Sequence, residues 1–370
     1  MTMLTKLKVA TVLGTRPEII RLSRVIERLD DACTHVLVHT GQNHSAQLNE
    51  IFFSELGVRQ PDHHLGARGS LGSQVGTIMA EMERILLAER PDRLLVLGDT
   101  NSGLSAFVAK RLGIPVYHME AGNRCYDDRV PEEVNRRVID HSSDVLLPYT
   151  SRSREHLLRE GIPGDRIYVT GNPIYEVMRH HETQIHNSTV LERLGLSSGQ
   201  YVLVTLHRAE NVDVESRLTD LAQALDRVQR ELDTPVIVST HPRTRDRLDT
   251  FGLSVDNPEV RPLEPFGFFD FVALERGACC VLTDSGTVQE ECAILKTPTV
   301  TLRDVTERPE TLEAGSNVLA GCRPDAVLRA LRLVLARRGL WRVPEGYLTD
   351  HVSEAVARLV LGYRHVTSHC

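Results

Sequence analysis

The sequence predicts an α/β protein with two domains, each built on a parallel β-sheet. Short apolar runs rich in β-branched residues alternate with amphipathic helical patterns, and this alternation is typical of βαβ units. The chain has 370 residues, which is more than one hydrophobic core usually supports. The alternation pauses at Gly171, Asn172 and Pro173, before a second series begins.

The first series contains predicted strands at residues 8–13, 35–39, 93–97, 116–119, 145–147 and 166–170. Helical patterns lie between them. The first helix is predicted for residues 17–29, because Ile19, Leu22, Ile26 and Leu29 fall on one face. Pro17 stands in its first turn, where the missing N–H costs little.

The second series contains predicted strands at residues 201–206, 236–239, 279–283 and 299–302. The domain boundary is placed at the pause, so that the first domain covers residues 1–172 and the second covers residues 173–350. A last helix, at about residues 351–363, is expected to fold back and bring residues 351–370 to the first domain. Two similar domains imply a cleft between them, and such clefts are common small-molecule sites.

The composition excludes several classes of protein. The net charge is −7, with 41% hydrophobic and 25% charged residues, which is typical of a soluble globular chain and gives no support for a nucleic-acid partner. The sequence has neither a signal-peptide pattern nor an apolar run of membrane-spanning length. Seven cysteines without zinc-type spacing favour free thiols and no metal. We therefore expect a cytoplasmic protein without a membrane partner.

Asp99 and Glu120 each follow a predicted strand at the point where it ends. Because parallel strands share their carboxyl edge, we expect the two carboxylates to lie on one rim. Paired carboxyl groups can take different pKa values, so that one acts as base and the other as acid. Asp99 taken alone fits equally well as the cap of a helix that begins near Ser102.

A helix is predicted to begin at Pro131, with Glu132 and Glu133 in its first turn. Arg136 and Arg137 follow four residues later, which places each acid beside a base on the same helix face. An exposed, salt-bridged helix is the simpler interpretation of isolated pairs. The helix dipole nevertheless favours ionised glutamates at this position, so either one can serve as a base.

Two further strand ends are candidate anion sites. The GTRPE turn at residues 14–18 leads into a helix N-terminus, where free N–H groups and Arg16 suit an anion. A proline-capped helix with a solvated arginine is an equally good interpretation. His207 and Arg208 follow the run at residues 201–206 and suit a phosphate group, although a histidine hydrogen-bonded within its loop is an alternative.

The segment DSGTVQEE, at residues 284–291, is the stronger candidate for a phosphate site. Ser285, Gly286 and Thr287 open a helix there, so their N–H and hydroxyl groups can hold a phosphate. Glu290 or Glu291 can accept hydrogen bonds from ribose hydroxyls. A simple capped helix fits the same residues. Arg308, in the later TERPE segment, is a further candidate cation.

Seven motifs occur in order along the chain: GTRPE, GDT, HMEAG, PEEVNRR, LHRAEN, DSGTVQEE and TERPE. With them, the chain closely resembles the non-hydrolysing UDP-N-acetylglucosamine 2-epimerases over nearly its whole length. The resemblance implies a glycosyltransferase-B-like fold of two Rossmann-like domains, the nucleotide held mainly by the second, and usually a homodimer. It implies a reaction without a cofactor, in which UDP is eliminated to leave a 2-acetamidoglucal and is added back after carbon 2 has been protonated on its opposite face.

The resemblance also assigns roles to residues. Asp99, Glu120 and Glu132 match the catalytic carboxylates, whereas Arg136 and His207 match cationic groups near the diphosphate and the sugar. Arg16, Ser285, Gly286 and Glu291 match positions that bind UDP, with Glu291 on the ribose; Thr287 and Arg308 join this set. Gln42 and His241 match part of a site for a second UDP-N-acetylglucosamine, which activates some bacterial members.

The resemblance leaves the sugar open, because AGNRCYDDRVPEE and the SGT triplet look more like the branch that acts on modified sugars, including 2,6-dideoxy hexoses and diacetamido uronates. The prediction is an isomerase that inverts carbon 2 of a UDP-2-acetamido sugar, for surface polysaccharide or secondary metabolite synthesis. The alternatives are a hydrolysing relative that releases N-acetylmannosamine and UDP, a glycosyltransferase, and a catalytically silent nucleotide-sugar sensor. The intact carboxylates Asp99, Glu120 and Glu132 count against the sensor.

Overall fold

The structure, a computed structural model, describes residues 7–42, 46–253 and 256–363, except for the side chains of residues 46–49. It divides into two compact units. The first comprises the residues up to Arg179 together with the chain from Glu345 onward, and the second comprises His180–Pro344. The first unit therefore extends to Arg179, whereas the sequence prediction placed the domain boundary after residue 172.

The first unit is built on a parallel sheet with the strand order β3-β2-β1-β4-β5-β6. Its strands are β1 (Lys8–Leu13), β2 (Thr34–His39), β3 (His63–His64), β4 (Arg93–Leu97), β5 (Val116–Met119) and β6 (Val145–Leu147). Its helices before the boundary are α1 (Arg16–Ala32), α2 (Ala46–Glu55), α3 (Leu71–Glu89), α4 (Ser105–Arg111), α5 (Pro131–Ser142), α6 (Ser151–Arg159) and α7 (Ile174–His180).

The first helix confirms the predicted apolar face and is longer than predicted at both ends. Ile19, Leu22, Ile26 and Leu29 are all buried against the sheet. Strands β1 and β4 are buried almost throughout, which explains why they appear in the sequence as continuous apolar runs. The predicted sheet strands near β1, β2, β4, β5 and β6 are confirmed to within one residue.

The predicted strand at residues 166–170 is wrong. A short 3₁₀ turn occupies Gly164–Arg166, and a single parallel bridge joins Leu146 to Ile167. The backbone N–H of Tyr168 donates to the carbonyl of Leu146 at 2.9 Å, so the segment runs beside β6. However, the segment forms only this single bridge and does not become a strand of the sheet.

The second unit repeats the architecture, with the parallel strand order β12-β11-β10-β7-β8-β9. Its strands are β7 (Val202–Leu206), β8 (Val236–Thr240), β9 (Val260–Leu263), β10 (Cys280–Thr283), β11 (Thr299–Thr301) and β12 (Asn317–Leu319). Its helices are α8 (Glu182–His186), α9 (Val190–Leu194), α10 (Ala209–Val212), α11 (Glu215–Leu232), α12 (Pro242–Phe251), α13 (Phe268–Gly277), α14 (Gly286–Leu295), α15 (Pro309–Ala314) and α16 (Pro324–Ala336).

Helix α17 (Val352–Gly362) returns to the first unit and packs against α1. Glu176 of α7 accepts hydrogen bonds from the backbone N–H and the hydroxyl of Ser353, at 2.8 and 2.5 Å. Arg179 pairs with Asp350 at 2.8 Å. These contacts explain why α7 belongs to the first unit, although it lies after the predicted boundary.

Candidate active site

Glu120 lies at the carboxyl end of β5 and forms a buried ion pair with Arg21 of α1. Arg21 Nη1 is 2.5 Å from Glu120 Oε2, and the two side chains are 3% and 6% exposed. The other oxygen of Glu120 accepts from the amide of Asn123 at 3.3 Å, and Asn123 accepts in turn from the hydroxyl of Ser153 at 2.9 Å. Glu120 is therefore held from two sides at the rim of the first sheet.

The turn after β5 is tightly constrained. Glu120 has φ of +64°, a left-handed conformation that is uncommon for a residue with a side chain and that often occurs at functional sites. Gly122, at φ +80°, approaches α6 so closely that an added Cβ would lie 2.3 Å from the carbonyl oxygen of Ser153. This backbone aims the Glu120 side chain and leaves no room for a larger residue at position 122.

Asp99 lies on the same edge, because β4 and β5 are neighbours and Leu97 is paired with Met119. It is bound by Arg136 of α5, whose Nε and Nη2 lie 2.8 and 2.6 Å from Asp99 Oδ2. The alternative role of Asp99 as a helix cap is wrong, because Thr100 precedes the 3₁₀ turn Asn101–Leu104 and α4 starts only at Ser105.

Arg136 also binds Glu133, with Nη1 2.7 Å from Oε2, and this pair is almost fully buried. Glu133 further accepts from the backbone N–H groups of Cys125 and Tyr126, at 3.1 and 2.9 Å. Burial would raise the pKa of Glu133, but the N–H of Cys125 and the guanidinium of Arg136 hold it below its ordinary value. Arg136 thus joins two carboxylates, one on the rim and one beneath it.

The predicted helix beginning at Pro131 is confirmed, with Glu132 half-buried in its first turn. Arg137 is exposed and pairs with Asp128, while its Nε reaches the carbonyl of Glu133 at 3.3 Å. Glu133 is therefore paired with Arg136, three residues later, and not with Arg137, four residues later, as the sequence predicted.

A second layer of charged side chains, formed by His118, Arg124, Asp140 and Glu160, lies beside the end of β5. His118 Nδ1 lies 2.8 Å from Asp140 Oδ1, and its Nε2 lies 2.8 Å from the carbonyl of Gly98. Arg124 binds Asp140 at 2.7 Å and Glu160 at 2.6 Å. Burial would raise the pKa of Asp140, but the His118 and Arg124 partners lower it. The layer ties β4, β5 and the following loop together.

In the GTRPE turn, the carboxylate of Glu18 already binds some of the donors that were predicted to hold an anion. Glu18 Oε2 accepts from the N–H of Gly14 at 3.0 Å and from the hydroxyl of Thr15 at 2.8 Å, and Oε1 accepts from Thr100 at 3.0 Å. Burial raises the pKa of Glu18 to about 7 despite these bonds. The turn supplies its own carboxylate because Glu18 faces inward.

Arg16 begins α1 and is partly buried, with Cζ 5.8 Å from the ring centroid of Phe52. Burial lowers its pKa. Gln42, also in the first unit, accepts from the N–H and the hydroxyl of Ser102 at 3.3 Å. His44 and Asn43, the neighbours of Gln42 in the sequence, lie outside the described residues.

In the second unit, His207 follows β7 and contacts Asp284 at the end of β10, the neighbouring strand. Its Nδ1 is 3.1 Å from Asp284 Oδ1, and the carboxylate also accepts the backbone N–H of His207 and of Arg208, at 3.1 and 3.0 Å. Burial would raise the pKa of Asp284, but the charge and hydrogen bonds of His207 lower it to about 2. Asp284 therefore fixes the turn and the imidazole together.

His241 lies near His207, with ring centroids 5.9 Å apart. It caps α12 through its Nδ1, which accepts from the N–H of Arg243 at 3.2 Å. Gln42 and His241 belong to different units.

The predicted helix start at Ser285 and Gly286 is confirmed, with Ser285 at the N-cap of α14. The hydroxyls of Ser285 and Thr287 are 3.0 Å apart. An added Cβ on Gly286 would lie 2.4 Å from Glu307 Oε1, so a carboxylate already stands against the first turn of this helix. Glu291 is buried in the same helix, at 4% exposure.

Arg308 is buried near this turn and is held by acids. Its Nε binds Glu290, and its Nη1 lies 3.7 Å from Glu307. Glu307 also binds Arg303 at 2.8 Å. Arg308 is thus part of an ionic network. It neutralises Glu290 of α14 and Glu307 of the loop before α15.

The sequence interpretation assigned no role to Arg21, Glu18, Asp140 or Asp284. A signal was present for the first two, since charged residues at positions 18 and 21 share a face of α1 with apolar core residues. Asp284 directly follows an apolar strand, as Asp99 nearly does. Asp140 carried no local signal, because its partners come from other elements.

The described residues contain no group of three or more His, Cys, Asp or Glu residues arranged to hold a metal ion. No helix within the described ranges is long and apolar enough to cross a membrane.

Two units, each with a six-stranded parallel sheet, define an α/β protein with two Rossmann-like domains, of the glycosyltransferase-B-like class. The predicted fold class is confirmed. The family model described as UDP-N-acetylglucosamine 2-epimerase matches residues 27–361. The chain therefore belongs to the UDP-N-acetylglucosamine 2-epimerase family.

Individual relatives agree with this assignment. The chain is 40% identical to a UDP-N-acetylglucosamine 2-epimerase of Methanocaldococcus jannaschii, over 92% of this chain and 95% of the relative. It is 37% identical to a UDP-2,3-diacetamido-2,3-dideoxy-D-glucuronate 2-epimerase of Pseudomonas aeruginosa, over 90% of this chain and 93% of the relative. The crystal structure of the M. jannaschii enzyme in complex with UDP-GlcNAc and UDP superimposes with a TM-score of 0.91 and 40% identity, covering 95% of this chain and 99% of that chain.

Proposed function

We propose that this protein is a non-hydrolysing 2-epimerase of a UDP-2-acetamido sugar, which interconverts UDP-N-acetylglucosamine and UDP-N-acetylmannosamine. The main structural support is the rim of the first sheet, where Asp99 and Glu120 follow adjacent strands and are each bound by a buried arginine. The 40% identity to the M. jannaschii relative supports the substrate class.

The reaction requires a proton to leave carbon 2 on one face and to return on the other. Glu120 and Asp99 have different environments, since Glu120 is paired with Arg21 and buried, whereas Asp99 is partly exposed beside Arg136. Different environments give two carboxyl groups different proton affinities, which a base and an acid need. Glu132, half-buried at the start of α5, is the third proton-transfer candidate.

The departing diphosphate develops negative charge and needs hydrogen-bond donors. We assign UDP binding to the second unit, with Ser285, Gly286 and Thr287 at the start of α14 and Glu291 on the ribose. His207, oriented by Asp284, and Arg308 stabilise the leaving diphosphate. The nucleotide must stay bound during the reaction, because it is added back to the glucal.

The decisive experiment is turnover of UDP-N-acetylglucosamine in deuterium oxide, followed by proton NMR. We expect an equilibrium mixture of two UDP sugars with deuterium at carbon 2. Product without that label would exclude elimination, whereas stoichiometric free UDP would indicate the hydrolysing reaction. Asp99→Asn, Glu120→Gln and Glu132→Gln should each reduce turnover far more than UDP affinity.

A modified sugar is the second candidate substrate, because a relative with 37% identity acts on a diacetamido uronate by name. The same NMR assay with a panel of UDP-2-acetamido sugars, changed at carbons 3, 4 and 6, separates the candidates. The substrate with the highest kcat/KM identifies the physiological class.

We further propose a cytoplasmic homodimer that supplies a 2-epimerised sugar nucleotide for polysaccharide synthesis, in line with the family resemblance. Light scattering on the purified protein measures the assembly. Gln42, in the first unit, and His241, in the second, are each proposed as a residue that binds an activator. A sigmoidal dependence of rate on UDP-N-acetylglucosamine, made hyperbolic by His241→Ala, would support this role.

A further inference from the structure

Glu275 is a fully buried carboxyl group on α13, next to the proposed nucleotide site. Its exposure is 0%, and neither carboxyl oxygen receives a hydrogen bond from an N–H or hydroxyl group of the described residues. The neighbouring Arg276 points away from it and pairs with Glu182 at 2.8 Å. Within the described ranges, no cation is paired with Glu275, although a buried carboxylate normally requires one.

The side-chain partner of Glu275 is another acid, Glu291 of α14, to which it is hydrogen-bonded. Two carboxyl groups can form a hydrogen bond only if one of them carries a proton. Burial, followed by the negative charge of Glu291, raises the pKa of Glu275 well above its ordinary value. Burial and the neighbouring negative charge thus both favour the protonated form of Glu275.

The other groups around Glu275 do not replace this proton. The hydroxyl of Tyr201 donates to the backbone carbonyl of Leu274 at 2.5 Å. The buried thiol of Cys292, on the same helix as Glu291, has a raised pKa because of its burial and of these acids. Thr297 donates its hydroxyl to the backbone carbonyl of Glu275 at 3.0 Å, which fixes the end of α13 and leaves the carboxyl group available.

We propose that Glu275 is a positioning residue for nucleotide binding: as a neutral acid, it donates a hydrogen bond to ionised Glu291 and holds that carboxylate as the acceptor for the ribose hydroxyls of UDP. The inference rests on the proposed function, because that function assigns Glu291 to the ribose. It adds a residue that does not itself touch the nucleotide.

The arrangement suits a ribose site for a chemical reason. An ionised carboxylate accepts hydrogen bonds and donates none, and a buried one is costly unless donors surround it. The O–H of Glu275 supplies one donor permanently, and the ribose hydroxyls add donors when UDP binds. Without Glu275, Glu291 would lose a donor and be free to turn away or to take up a proton.

The test is UDP affinity of the full chain by titration calorimetry, with two substitutions at one position. Glu275→Gln keeps a donor of nearly the same shape, whereas Glu275→Met keeps the volume and removes the donor. We expect the glutamine variant to bind UDP within about threefold of the wild type and the methionine variant to bind about tenfold more weakly, the effect of one lost hydrogen bond to a charged group. Glu182→Gln, which breaks only the surface pair with Arg276, is the matched control.

A second ligand distinguishes positioning from general damage. In 2′,3′-dideoxyuridine diphosphate the ribose hydroxyls are missing, so the methionine variant should bind it about as tightly as the wild type does. Equal weakening with both nucleotides would overturn the inference. Failure of the wild type to bind UDP at all would instead overturn the proposed function.

Infrared difference spectroscopy tests whether Glu275 carries a proton. This test does not depend on the methionine variant, which can fail to fold. The wild type at neutral pH should show the carbonyl band of a buried protonated carboxyl group, and Glu275→Gln should remove it. Persistence of the whole band in that variant, or its absence from the wild type, would contradict a neutral Glu275.

Discussion

Arg21 and Glu120 are separated by 99 positions in the sequence, yet their charged groups meet at 2.5 Å in an almost fully buried position. Arg21 Cζ also lies 5.8 Å from the ring centroid of Tyr149. The arginine is therefore fixed by α1 and by packing, and it holds the carboxylate of Glu120 in position. Several expected outcomes depend on this and related pairs.

Replacing Arg21 by Met should destabilise the first unit by about 3–5 kcal/mol, because it leaves the buried Glu120 charge without its partner. The double variant Arg21→Met with Glu120→Gln should recover much of this stability, since no buried charge remains. It should not recover turnover, because Glu120 is the proposed proton-transfer group. Denaturation curves and NMR turnover rates measure the two effects. Additive loss of stability in the double variant would show that the pair is not coupled.

Replacing Arg136 by Lys should reduce kcat by about 100-fold while changing the Kd of UDP by less than about threefold. Lysine retains the charge but loses the fork that joins Asp99 to Glu133. Arg137→Lys is the control, because Arg137 is exposed and pairs with Asp128. A similar loss in kcat for both variants, or an equal loss of UDP affinity, would contradict the role of Arg136 in orienting Asp99.

Replacing Asp284 by Asn should lower kcat by about 30- to 100-fold, because His207 loses the carboxylate that orients its ring. The same change made in a His207→Asn background should cost less than about threefold, since there is no imidazole left to orient. Rates of the four proteins in this cycle give the coupling directly. A full loss in the His207→Asn background would mean that Asp284 acts through the backbone of the β7 turn instead.

The raised pKa of Glu18 predicts that the free energy of unfolding depends on pH. Its folded pKa of about 7 lies above its ordinary value of 4.5, so the folded state binds the proton more tightly than the unfolded state does. Its contribution is complete below about pH 4.5 and is lost as the pH rises through about 7, a change of roughly 3 kcal/mol. Glu18→Gln should lack this loss, so the stability of the variant relative to the wild type should rise between pH 5 and pH 8.

Hydrogen exchange of the slowest amides in β1 and α1 measures this difference within the first unit. Glu155→Gln, a change at an exposed acid of the same unit, should show no such relative rise. A constant difference between Glu18→Gln and the wild type across this pH range would contradict the raised pKa.

The strand-helix alternation was sufficient to predict the fold, since parallel strands buried on both faces produce long apolar runs in the sequence. The short strands β3 and β9 were missed because they contain His63, His64 and Pro262, which do not resemble a buried strand. Strand β12 was missed because it has only three residues. The segment at residues 166–170 shows the reverse error, where strand-like residues run beside β6 without forming a ladder.

The site could be predicted only in part, because a sequence pattern places a residue at a strand end but does not reveal its partner. The placement of Asp99 and Glu120 at one edge of the first sheet was predicted in this way. The pairing of Arg21 with Glu120 joins residues separated by 99 positions, and no local spacing encodes it. The occupation of the GTRPE turn by Glu18 was missed for the same reason, since it depends on which face of α1 turns inward.

The carboxylate of Glu307 against Gly286 has a consequence for how tightly an anion can be held at the start of α14. A carboxylate this close to the first turn lowers the positive potential of the helix start, so a phosphate at the proposed site would be held less tightly than at a helix start without such a neighbour. Such moderation suits a catalyst that must grip its leaving group through one reaction cycle and then let the finished nucleotide sugar depart.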